Sequence, residues 1–124
     1  MIDKIKVGGL TYAVEFKELE ADEGVQLGWC KRTQTLIEVN NHNISEQLQK
    51  QTLIHEMTHA ILFEAGLELE NEEDIVNRIG LVLYQVLKDN DFSWLREDDE
   101  VTHTMIAGGK EYLFNSNHEL VEVD

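Results

Sequence analysis

The chain has 124 residues, with 25 acidic side chains against 10 basic ones, a formal net charge of −15 and one cysteine. This length suits one domain with a modest core. The charge repels nucleic-acid phosphates and anionic membranes, and no run of about eighteen apolar residues is present to span a bilayer.

The expected unit is therefore a single domain over 1–124, with its core over about 1–95 and an acidic extension over 96–124. The opening Met1–Val7 carries no apolar signal region, which points to the cytoplasm. Cys30 has no internal partner for a disulfide and reads as a packed strand thiol rather than a nucleophile or a metal ligand. The acidic runs Glu68–Asp74 and Glu97–Glu100 lack the Asp-x-Asp-x-Asp-Gly spacing of a calcium loop, so they read as linkers or solvated faces.

In chain order, Ile5–Val7 and Leu10–Phe16 alternate apolar with polar residues around Gly8-Gly9, which predicts a hairpin. Val25–Cys30 and Thr35–Val39 predict a second strand pair, joined through Lys31–Gln34. If Thr35–Val39 lies at the sheet edge, its free N–H and C=O groups could take an extended peptide by strand addition. Asn43 and Glu46 form a candidate capping box for a helix that runs through Leu53, Ile54, Met57, Ala60, Ile61, Leu62 and Phe63 to Gly66. Ile75, Val76, Ile79, Val82, Leu83, Val86 and Leu87 recur at helical spacing and predict a second helix to about Lys88. Phe92, Trp94 and Leu95 are expected to cap the core. Thr102–Ala107 and Lys110–Phe114, joined by Gly108-Gly109, predict a C-terminal hairpin, followed from Asn115 by a polar tail. Strands followed by two helices make the fold class α+β, with antiparallel N-terminal strands and a C-terminal hairpin.

Within the first helix stands His55-Glu56-Met57-Thr58-His59. Two histidines four residues apart lie one turn apart on one helix face, so their ring nitrogens can converge on a single ion. That suits Zn²⁺, which takes three protein ligands in catalytic sites and keeps a fourth position open. Glu56, not itself a ligand, can serve as general base toward a water. The bland alternative is a buried helix whose histidines only bond to neighbours.

The third ligand is sought at the start of the second helix. Glu73, Asn77, Gly80 and Tyr84 share one stripe beside its apolar face, which selects Glu73; Glu72 takes the place if the register is displaced. Otherwise Glu72 and Asp74 simply favour the positive end of a helix. Gly80 on that stripe would let the two helices approach closely. His42 could approach the cleft from the loop before the first helix, while His103 and His118 read as surface side chains. Tyr12, Tyr84, Tyr112 and His103 are the candidates for stabilising an oxyanion.

His55-Glu56-x-x-His59 followed by Glu73-x-x-x-Asn77 resembles the gluzincin arrangement. With the Thr52–Ile54 lead-in and the preceding Leu36–Val39 strand, the chain is most similar to the ImmA/IrrE-like metallopeptidases, compact proteins of bacteria, mobile elements and phages. The similarity covers about 27 to 89. It implies zinc held by His55, His59 and Glu73, catalysis through Glu56, support of a histidine ligand by Asn77, and cleavage of a regulatory protein such as a repressor. Val76-Asn77 stands where the family usually has Ala-Asn or Ala-Asp. Two functions from different classes follow: a zinc metallopeptidase acting on a protein or peptide substrate, or a non-proteolytic zinc-binding interaction module of a phage or mobile element. Neither requires nucleic acid or a membrane, and the sequence does not fix the oligomeric state.

Overall fold

The computed structural model describes residues 1–96, 103–114 and 119–123. Two compact units divide the chain, Met1–Asp89 and Asn90–Asp124. In the first, β1 (Lys4–Val7) and β2 (Leu10–Lys17) form an antiparallel hairpin through Gly8-Gly9. Gly8 takes φ 61°, the left-handed region that a tight two-residue hairpin turn needs. β3 (Gly28–Lys31) and β4 (Leu36–Asn40) pair antiparallel across a 3-10 turn at Arg32–Gln34.

The two hairpins join through a parallel pairing of β2 with β4, giving the order β1-β2-β4-β3. β4 is thus interior rather than at the edge, and the edge strands are β1 and β3. The reason lies in burial: Ile37, Glu38, Val39 and Asn40 of β4 are all buried, as befits a strand flanked on both sides.

One face of this sheet presents Val7, Tyr12, Val14, Ile37 and Val39, and α1 (Glu46–Glu64) covers it with Leu53, Met57 and Ala60. The helix starts at Ser45, whose Oγ accepts from Leu48 N at 3.2 Å. The capping box expected at Asn43 and Glu46 does not form, because Asn43 sits at φ 56° in the loop, two residues ahead of the cap. At the other end Gly66 takes φ 76°, and the amides of Gly66 and Leu67 reach back to the carbonyls of Phe63 and Leu62 at 3.0 Å each. This satisfies carbonyls that the helix end would otherwise leave open.

α2 (Glu72–Asp89) packs against α1 and buries Val76 and Gly80. The two helices carry no span long and apolar enough to cross a membrane, and none exists elsewhere among the described residues. In the second unit, a 3-10 turn at Ser93–Arg96 precedes β5 (His103–Ala107), β6 (Lys110–Phe114) and β7 (Leu120–Val123), an antiparallel sheet in that order. Trp94 and Leu95 are exposed there rather than capping the core. Thr102 and His118 lie outside the described residues.

Candidate metal centre

His55 and His59 project from the same side of α1, with ring centroids 5.1 Å apart at 71°. The carboxylate of Glu73, in the first turn of α2, faces both rings: Oε1 lies 3.0 Å from His55 Nε2 and Oε2 lies 2.9 Å from His59 Nε2. One ligand atom from each of the three residues falls within 4.8 Å of the others. Tetrahedral coordination at ordinary Zn–N and Zn–O distances separates ligand atoms by about 3.3 Å, so two imidazole nitrogens and a carboxylate at these spacings suit the ion. Burial holds the His55 pKa below its ordinary value, despite the opposing pull of Glu73, which favours the neutral imidazole that a metal ligand presents.

Glu72, expected to favour the helix start or, with a displaced register, to be the third ligand, has a different place. His59 Nδ1 lies 2.6 Å from Glu72 Oε2, and Arg32 Nη2 donates to the same oxygen. Glu72 is therefore on the far side of the imidazole from Glu73 and is not an alternative ligand. Burial by itself would raise its carboxyl, yet the hydrogen bond to His59 and the Arg32 guanidinium hold it below the usual carboxylate range. Asn77 lines the cleft, but among the described residues the partner of His59 Nδ1 is Glu72. No pattern in the sequence marks this, because Arg32 arrives from a segment 40 residues away.

Glu56 is 6 % exposed and lines the same cleft as the two histidines, with its side chain close to strand β3. An ideal Cβ placed on Gly28 would come within 3.1 Å of Glu56 Cγ and 2.7 Å of Thr52 Cγ2. Strand β3 can thus lie on α1 only because residue 28 has no side chain. Desolvation pushes the Glu56 carboxyl up to about 7, with His59 and Arg32 pulling it down and Glu73 adding to the rise. Cys30, on the same strand, has its thiol pushed up to about 11, first by burial and then by Glu56, so it is a protonated packing group.

His55, Glu56, His59 and Glu73, with Cys30 and Arg32, line one cleft of about 670 Å³. Its rim carries Val25, Leu27, Trp29 and Leu81, all exposed, and Tyr84 also lines it. Asn40 N donates to Leu27 O, which puts the odd-numbered residues of β3 in the ladder with β4. The N–H and C=O of Gly28 and Cys30 consequently lie on the outer edge, where the Gln26 side chain takes the Gly28 carbonyl. Tyr12 is fully buried, donates to Glu64 Oε1 at 2.8 Å and takes no part in the cleft. His42 lies in the loop, 3.7 Å from Glu18. Tyr112 and His103 belong to the second unit. Comparison of the chain with protein-family models, with curated proteins and with solved structures finds no match.

Proposed function

We propose that the chain is a zinc-dependent endopeptidase of the gluzincin kind, similar to the ImmA/IrrE-like group, acting in the cytoplasm on a protein substrate. The observation that carries this reading is the convergence of His55, His59 and Glu73 beside a buried, non-ligating carboxylate, Glu56. Bound there, zinc supplies a Lewis acid that polarises the scissile carbonyl. Glu56 takes a proton from the attacking water and delivers it to the leaving amine, which balances the hydrolysis without another acid. An elevated carboxyl pKa suits a group that must both accept and return that proton. The outer edge of β3 offers the N–H and C=O of Cys30 to an extended peptide, whose side chains meet the apolar rim at Val25, Leu27, Trp29 and Leu81. Tyr84 is the donor on the cleft wall that suits a developing oxyanion.

The test has two parts. Metal analysis of the purified chain should return about one zinc per molecule, and His55→Ala or His59→Ala should remove most of it. Glu56→Gln should keep the zinc yet lose at least ~10²-fold in cleavage rate. New protein N-termini are then sought in cells expressing either form. Identical sets of N-termini from parent and variant would sink the peptidase reading and leave a zinc-binding interaction module.

A further inference from the structure

We infer that Arg32 and Glu72 are a positioning pair that fixes the tautomer and orientation of His59 and thereby sets the affinity of the metal centre. This rests on the metal reading above and goes beyond it, because neither residue belongs to the three proposed ligands or to the base. Glu72 Oε2 is shared by two donors, the Nδ1–H of His59 at 2.6 Å and Arg32 Nη2. A carboxylate accepting at Nδ1 keeps the proton there and leaves Nε2, on the Glu73 side of the ring, as the nitrogen that can take an ion.

Exposure separates the two neighbouring glutamates. The Glu72 side chain is 17 % exposed and that of Glu73 is 67 % exposed, so Glu72 is built into the interior while Glu73 stays open. Arg32 is itself held, with its guanidinium 5.2 Å from the centroid of the Phe63 ring on α1. The turn that follows edge strand β3 is thus tied through Glu72 to an imidazole on α1. A guanidinium on the carboxylate restrains its rotation and holds its oxygen in line with Nδ1.

The experiment measures zinc affinity by competition with a chromophoric chelator for the full chain, Arg32→Met, Glu72→Gln and the double variant. The zinc-free thermal midpoint of each is recorded alongside. Glu72→Gln should weaken zinc binding by about 10–100-fold and Arg32→Met by about tenfold, the range for residues that orient a ligand. In the Glu72→Gln background, Arg32→Met should add less than about twofold, because its effect passes through Glu72. Arg32→Lys, which keeps the charge, should recover part of the loss. Equal losses from Arg32→Met in both backgrounds, tracking the zinc-free midpoint, mark a merely structural role and overturn the inference; so does parent-like affinity in both single variants. A parent that holds no zinc overturns the metal reading itself. Should the variants fail to fold, the zinc-free parent decides: nitrogen-15 spectra above neutral pH should show His59 protonated at Nδ1, and a His59 protonated at Nε2 alone overturns the inference.

Discussion

Glu38, with 2 % of its side chain exposed, lies between the ammonium groups of Lys17 and Lys31, the latter at 2.7 Å from Oε1. Hydrogen bonds from Lys17 first, then Lys31, hold its carboxyl below the usual range against the opposing effect of burial. A depressed carboxylate contributes stability that is present above its unfolded pKa of about 4.3 and is lost as the pH falls through the lower folded value. Glu38→Gln should therefore cost about 1–3 kcal/mol at neutral pH, as expected for a hydrogen bond to a charged group. That difference should shrink as the solution is acidified below the ordinary carboxylate range. Urea midpoints of both forms across a pH series check this, and a constant difference down to strong acid contradicts it. At the metal centre, Glu73→Ala removes a proposed ligand and should abolish tight zinc binding, read by chelator competition. The histidine pair and Glu73 are legible in sequence because helical spacing alone dictates which side chains share a face. Glu72 is not, since its role depends on a guanidinium delivered by the turn after β3.

Two glycines divide the elements differently from what helix patterning implies. Gly80, expected to permit close helix packing, leaves room for a methyl group: its ideal Cβ lies 3.6 Å from His55 Cα, an ordinary contact. Gly80→Ala should therefore be tolerated and can stabilise α2 by up to ~1 kcal/mol through helix propensity. Gly28 is the true point of close approach, with a Cβ only 2.9 Å from the Glu38 carbonyl and 2.7 Å from Thr52 Cγ2. Gly28→Ala should cost about 1–3 kcal/mol by overpacking and push β3 off α1 beside Glu56. Thermal midpoints of the two variants, one rising or level and one falling, test the contrast. Hairpins and helices were legible because their signals are local: Gly8-Gly9, Gly108-Gly109 and the recurrence from Ile75 to Leu87. The parallel β2–β4 pairing was not, for it joins strands separated by the whole of β3 and depends on non-local burial of Ile37 and Val39. The same topology covers β4 on both sides and leaves β3 as the edge beside the cleft.

For the whole molecule, the proposed ligands, the base, the cleft and the buried cluster all belong to Met1–Asp89. A chain ending at Asp89 should accordingly fold and take up zinc with the affinity of the full chain, measured by the same chelator competition; loss of binding would assign the second unit a part in the centre. The order β1-β2-β4-β3 also has a kinetic consequence. β2 must wait for β4 to be made before its outer edge is filled, a long closure that slows folding. His59 and Glu73 are only 14 residues apart, on two helices joined by a short turn. On the metal reading, that helical pair can gather zinc while the sheet is still open. Zinc present from the start of refolding should then speed the recovery of native signal, whereas zinc added after the sheet has closed can only tighten a finished structure.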